Sequence, residues 1–196
     1  MSNTLKYYNE HAKSFAASTA NLEFTDFQDK FLSYIKPGAR VLDFGCGSGR
    51  DTKYFLDKGF QVDAVDGSSE LVKIASEYAQ IEVKQMLFQE LQAVGIYDGI
   101  WACSSILHLT GDELADVMER MEKALVSKGI IYMSFKYGTG EDERKGRFFT
   151  DMTEDKMKGL LDKVGLFVTE EMWMTSDVRP GREDEKWLNI IVRKMR

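Results

Sequence analysis

Asp43-Phe44-Gly45-Cys46-Gly47-Ser48-Gly49 sets an acidic residue before three alternating glycines, at the end of a short apolar run. Glycines at the carboxyl end of a strand remove Cβ atoms, so the backbone can turn tightly and approach a ligand. The first turn of a following helix then offers unpaired N–H groups. In an open parallel sheet, ligands bind at such a strand end. The ligand implied carries no phosphate. A dinucleotide fingerprint has its third glycine at the sixth position, where Arg50 stands, and Asp51 at the helix start repels a pyrophosphate. No Gly-Lys-Ser/Thr follows, so there is no Walker loop. Asp43 is placed to meet a cationic amino group. Asp66 stands 17 residues after Gly49, near the spacing at which an acid takes a ribose diol, and its two oxygens match two hydroxyls. Asp63 competes for that role but falls inside its strand.

Positioning these residues requires strands alternating with helices. Apolar spacing predicts helices over 4–15 and 25–35, then a strand over 40–44, the glycine cluster and a helix over 51–58. A second strand over 60–65, a helix capped by Ser68 or Ser69 and running to about Tyr78, and strands over 81–86 and 98–103 follow. Thr110 and Glu113 form a capping box for a helix reaching about 125. Ser127-Lys128-Gly129 reads as a turn into a strand over 130–135, and 136–150 as a charged loop. A helix over 153–164, with Thr153 as cap and Gly165 past its end, and strands over 166–175 and 187–193 complete the chain. The last two strands are joined by too few residues for a helical crossover, which predicts an antiparallel pair at one edge. The rest is a mostly parallel sheet with helices on both faces.

Several of these segments, in this order, resemble class I S-adenosylmethionine-dependent methyltransferases. They are Val41 to Gly49, Val65-Asp66-Gly67-Ser68, Tyr97-Asp98-Gly99-Ile100-Trp101-Ala102, Ser105-Ile106-Leu107-His108-Leu109 and Ala124-Leu125-Val126-Ser127-Lys128-Gly129-Ile130. Within that superfamily the chain is most similar to small bacterial tellurite-resistance-type methyltransferases. The resemblance implies a doubly wound, Rossmann-like, seven-stranded sheet with an antiparallel C-terminal edge strand. It implies S-adenosyl-L-methionine as cofactor and S-adenosyl-L-homocysteine as product. Gly45, Gly47 and Gly49 are then expected against the methionine and ribose parts, and Asp66 on the ribose. Adenine is expected between Gly67 or Ser68 and the end of strand three. Many relatives carry an Asp there; this chain has Met86-Leu87-Phe88-Gln89, so Phe88 is expected to cover the ring with Gln89 as a polar substitute.

Methyl transfer from a sulfonium is an in-line displacement from an activated donor, so alignment and water exclusion matter most. A general base is needed only for an acceptor that holds its proton tightly. No catalytic constellation stands out. His108, after strand four, is a candidate for positioning the acceptor or removing its proton, against a purely structural histidine; Tyr137 is the other candidate. Cys46 and Cys103 are expected at adjacent strand tips as small fillers near the cofactor. With two histidines and no Cys-x-x-Cys spacing, no metal site is expected. In the resembled family an N-terminal helix often closes over the cofactor, which makes Tyr8, beside Tyr7, His11 and Phe15, the lid candidate. Lys136, Tyr137 and Arg147 are placed to read an anionic acceptor, with Trp173, Arg179, Arg182 and Trp187 further out. The run from Glu141 to Lys145 reads as a solvated face.

Composition bounds the remainder. A chain of 196 residues with 43% apolar content has room for one domain, read as a helical lid over 1–36 and a cofactor-binding sheet over 37–196. A net charge of -6 favours a small-molecule acceptor over nucleic acid. Arg179, Arg182, Arg193, Lys194 and Arg196 keep an RNA or protein substrate open, and a non-catalytic nucleotide-binding module is the third reading. Two cysteines and the lack of an apolar leader or long apolar run point to a cytoplasmic protein without a membrane anchor. The acceptor and oligomeric state are not encoded in any motif.

Overall fold

The computed structural model describes residues 2–195. Seven strands form one sheet in the order β3-β2-β1-β4-β5-β9-β8. β1 (Arg40–Phe44) is parallel to β2 (Gln61–Asp66) on one side and to β4 (Tyr97–Ala102) on the other. The chain therefore reverses its winding at β1, and a crevice opens at the carboxyl ends of β1 and β4. β9 (Lys186–Lys194) runs antiparallel to both β5 (Leu125–Lys136) and β8 (Phe167–Ser176), giving the expected antiparallel pair at one edge.

Period-two alternation divides the core. Val41, Trp101, Tyr132 and Ile191 face one side, packed with Phe31 of α2 (Thr25–Leu32) and Phe55 of α3 (Arg50–Asp57). Leu42, Phe44, Ile100, Ala102 and Met133 face the other, under α5 (Gly111–Ala124) and α6 (Glu154–Val164). Strands apolar on both faces are what a sheet covered by two helical layers needs. The expected helix ends hold: Ser68 caps α4 (Ser69–Ala79), Thr110 and Glu113 form their capping box, and Thr153 caps α6. No helix among the described residues is long and apolar enough to cross a membrane.

Four sequence expectations change. The third strand shrinks to β3 (Lys84–Gln85), because the Val83 amide is taken by Ser76 Oγ at 3.0 Å instead of the ladder. The expected turn at Ser127-Lys128-Gly129 is a bulge within β5: the register jumps from Tyr97↔Leu125 to Gly99↔Ile130. The expected charged loop contains a hairpin, β6 (Glu141–Arg144) and β7 (Arg147–Thr150), closed by Lys145 and Gly146 at φ 50° and 76°. Two successive positive φ values match the twist of paired strands, although the sequence lacks the usual Asn-Gly or Asp-Gly signal. Finally, the lid expected over 1–36 divides in two. α1 (Asn3–Thr19) lies over the crevice, while α2 is a core layer with Phe31 fully buried that reaches the crevice through Phe27.

Candidate active site

The loop after β1 is fastened to the end of β2. Gly45 and Cys46 N–H groups both donate to the Val65 carbonyl at 2.9 Å. Gly47 N–H donates to Asp66 Oδ2 at 2.9 Å, and Ser68 N–H to Oδ1 at 2.8 Å. The Asp66 carboxylate thus joins the glycine loop to the start of α4, and each oxygen keeps a further lone pair for a ligand. Burial pushes its carboxyl above the usual range, opposed by those two N–H groups. Gly45 is required twice over: its φ is +88°, and a Cβ there would stand 2.5 Å from Ser105 Cβ. Ser105 is itself fixed by donating to the Phe44 carbonyl at 2.6 Å.

Two cavities meet above this loop. One, of about 510 Å³, runs along Asp66, Gly67, Leu87, Phe88 and Gln89 and is roofed by Leu5 and Tyr8 of α1. The other, of about 160 Å³, lies toward the ends of β4, β5 and β9 and is lined by Phe24, Phe27, Cys103, Lys136, Arg147, Phe149, Arg179 and Trp187 among others. Tyr8, Phe15, Gly45, Gly47, Ser104 and His108 border both.

Tyr8 and His108 form a pair at that junction. His108 Nδ1 lies 2.6 Å from the Phe148 carbonyl, which can only accept, so Nδ1 carries the proton. Burial lowers the His108 pKa to about 4, so the ring is neutral near pH 7 and Nε2 accepts from the Tyr8 hydroxyl at 2.9 Å. Burial is also the main reason the Tyr8 phenol holds its proton above its ordinary value. The hairpin supports the pair from behind: Phe148 N–H donates to Thr4 Oγ1 at 3.0 Å, and the Asn3 amide reaches Glu143 at 3.1 Å.

Of the residues expected at the site, Tyr8, Gly45, Gly47, Asp66, Gly67, Phe88, Cys103 and His108 border the cavities. Four do not. Asp43 is 2% exposed and lies beneath the loop, where Thr52 Oγ1 donates to it at 2.5 Å; burial, then the nearby Asp51, raise its carboxyl pKa. It holds α3 in place and does not reach the cavities. Gly49, at φ +81°, would put a Cβ 3.1 Å from the Ala75 backbone, so its role is the close packing of α3 on α4. Ser68 is fully buried, capping α4 and donating to Asn9 Oδ1 at 2.7 Å. Tyr137 points to the start of α6, its hydroxyl donating to Glu154 Oε2 at 2.9 Å, away from both cavities.

Ser104 was missed. It borders both cavities at φ 52°, a left-handed conformation that a serine adopts at a cost of about 1 kcal/mol or more. Its position directly after a strand at the switch point was the available signal. The basic cluster considered for RNA is dispersed: Arg193 pairs with Glu170, Lys194 with Glu122 and Arg179 with Asp177, and Arg196 lies outside the described residues. Arg193 lies near the end of β9, whereas Arg179 lies in the loop before its start.

The larger cavity fits a nucleoside joined to an amino acid. Asp66 offers acceptors to a diol, Leu87 and Phe88 offer apolar walls, and the glycine floor has no room for side chains, since a Cβ at Gly47 or Gly67 would come within 3.2 Å of Phe15 or 2.7 Å of Leu5.

Residues 41–129 match the sequence family described as methyltransferase domain. A ubiquinone biosynthesis O-methyltransferase of Xanthomonas campestris pv. campestris is 32% identical over 105 residues, which is 50% of this chain and 43% of that protein. An uncharacterized methyltransferase of Staphylococcus carnosus is 28% identical over 57% of this chain and 58% of its own length. The chain thus spans about half the length of these curated relatives. The fold matches the Burkholderia thailandensis 1,6-didemethyltoxoflavin-N1-methyltransferase, solved with 1,6-didemethyltoxoflavin and S-adenosylhomocysteine (TM-score 0.76, 22% identity, 98% of this chain and 85% of that one). It also matches a TehB-like methyltransferase of Corynebacterium glutamicum (TM-score 0.69, 17% identity, 97% of each chain). The family match covers residues 41–129, and the sheet order and the matching structures show that the chain has the fold of class I S-adenosylmethionine-dependent methyltransferases.

Proposed function

We propose that this protein moves a methyl group from S-adenosylmethionine to a small-molecule acceptor. The observation that carries the reading is the pair of cavities sharing one wall: a nucleoside-sized chamber at Asp66 and a smaller chamber beyond Tyr8 and His108. S-adenosylmethionine supplies an activated methyl group on a sulfonium. Asp66 holds the ribose, Gly45 and Gly47 let the backbone approach the methionine part, and Gly67, Leu87 and Phe88 enclose the base. α1 roofs the chamber through Leu5 and Tyr8 and excludes water.

At the junction the Tyr8 proton is committed to His108 Nε2, and the phenol oxygen, which Arg147 also approaches, has a second lone pair to accept a hydrogen bond from the acceptor's N–H or O–H. The pair orients the nucleophile and gives its proton a path, Tyr8 oxygen to His108 nitrogen, without a charge in the resting site. A small acceptor is favoured by the size of the second chamber and by the small ligand of the Burkholderia enzyme with the same fold.

Calorimetry with S-adenosylmethionine, followed by mass-spectrometric detection of methylated products across a small-molecule panel, tests the reading. Saturable binding is expected, with S-adenosylhomocysteine formed only when an acceptor is present. Protein that ignores S-adenosylmethionine would overturn it.

A further inference from the structure

The second chamber is electropositive in a protein whose surface is acidic overall. Arg50, Lys136, Arg147, Arg179 and Arg182 line it against Asp51 and Asp177, all seven being wall residues. Most of these cations are already matched. Arg50 is bidentate on Asp51 at 2.7 and 2.9 Å, Arg179 is bidentate on Asp177, and Lys136 and Arg182 share Glu185.

Arg147 is different. Among the described residues it forms no ion pair, and its Nε is buried without a hydrogen-bond partner. Its guanidinium is held over aromatic rings, 4.4 Å from the centroid of Tyr7, 5.2 Å from Phe149 and 5.8 Å from Tyr8. Stacking on rings fixes the plane of a guanidinium but supplies no counter-charge. Arg147 is half-buried, and its buried Nε is a donor left unmet, which a ligand at the chamber wall would complete. Arg147 borders the smaller chamber and not the nucleoside-sized one, and it lies against Tyr8 at the wall between them.

We infer that the methyl acceptor is a flat, aromatic carboxylate whose anionic group is read by Arg147. Phe24, Phe27, Phe149 and Trp187 supply faces for its ring. Arg147 then sets the carboxylate close to Tyr8, with the reacting atom at the junction. A chamber positive inside an otherwise acidic surface admits a small anion and disfavours a polyanion, which would also meet the net charge of -6. The inference rests on the methyltransferase reading, and names the substrate class of the same site.

The test uses the whole protein saturated with S-adenosylhomocysteine and compares binding of 4-hydroxybenzoate with its neutral amide, 4-hydroxybenzamide, by ligand-detected NMR titration. The carboxylate is expected to bind at least roughly 10-fold more tightly, the ratio given by one charge-assisted hydrogen-bonded pair. Arg147→Gln is expected to abolish the preference and Arg147→Lys to restore part of it, with S-adenosylhomocysteine affinity unchanged in both variants. Thermal melts establish that each variant is folded; if Arg147→Gln is not, the Lys variant and the wild-type preference carry the test. Equal binding of acid and amide, or binding of neither at millimolar concentration, overturns the inference. A matching loss of S-adenosylhomocysteine affinity in Arg147→Gln also overturns it, by assigning Arg147 to the cofactor's own carboxylate. Sulfate binding as tightly as hydroxybenzoate would overturn the aromatic part. Failure of the methyltransferase reading is separately visible as wild-type protein that does not bind S-adenosylhomocysteine at all.

Discussion

Asp66→Asn separates two roles that one carboxylate plays. In the structure both oxygens are already engaged by backbone donors, Gly47 N–H at 2.9 Å and Ser68 N–H at 2.8 Å. An asparagine can keep one of these bonds, but its NH2 then faces the other N–H, donor against donor. A hydrogen bond to a charged acceptor contributes about 1.5–3 kcal/mol, and a stranded N–H adds about 1 kcal/mol or more. Against this, the buried carboxylate is itself held above its ordinary pKa by desolvation, so replacing it recovers part of the loss. The expected net cost to the cofactor-free protein is about 2 kcal/mol, or roughly 4–8 °C in melting temperature for a domain of this size. The assay is urea and thermal unfolding without cofactor, alongside calorimetry with S-adenosylhomocysteine. Affinity is expected to fall roughly 100-fold, since a diol contact and the loop geometry are lost together. A variant as stable as wild type without ligand, yet deficient in binding, would refute the idea that Asp66 pins the glycine loop.

Three further outcomes are expected. Gly49→Ala should cost about 2 kcal/mol in chemical denaturation, from the φ of +81° and the 3.1 Å approach to Ala75, while the folded fraction keeps near-normal S-adenosylhomocysteine affinity. A pure binding defect would restore Gly49 to the cofactor wall. Tyr137→Phe should leave turnover unchanged and stability within about 0.5 kcal/mol, because it removes only an exposed bond to Glu154. A large drop in activity would return Tyr137 to the site. His108 has its folded pKa lowered to about 4 from an unfolded value near 6.5, so its contribution is present above pH 6.5 and is lost as the pH falls toward 4. The stability difference between wild type and His108→Gln should therefore shrink on acidification across that window, by on the order of 3 kcal/mol. Subtracting the variant cancels Asp43 and the other carboxyls; a flat difference would mean that His108 is not held neutral by burial.

Much of the positioning machinery was legible because it is local. The strand, glycine and helix order around β1, the Asp66 strand tip, and the caps at Ser68, Thr110 and Thr153 depend on neighbours within a few residues. Local chemistry could not tell which member of a motif faces the ligand. Asp43 and Gly49 satisfy the same pattern as Gly45 and Gly47, yet strand alternation and the approach of α4 turn them away from the cavities. Ser68 was one of two serines read as the cap of α4, and that cap buries its side chain against Asn9.

By itself, then, the sequence determined that a parallel sheet reverses at β1 and presents glycines and an acid at its carboxyl edge. Period-two apolarity and turn residues encode this residue by residue. Only the tertiary structure decided the composition of the second chamber. Tyr8 meets His108 across 100 positions, and Arg147 reaches that wall through a hairpin whose Lys145-Gly146 turn gave no strong signal. Such contacts arise from the docking of α1 and the hairpin over the strand ends, and no spacing along the chain records a distance between elements that only packing brings together.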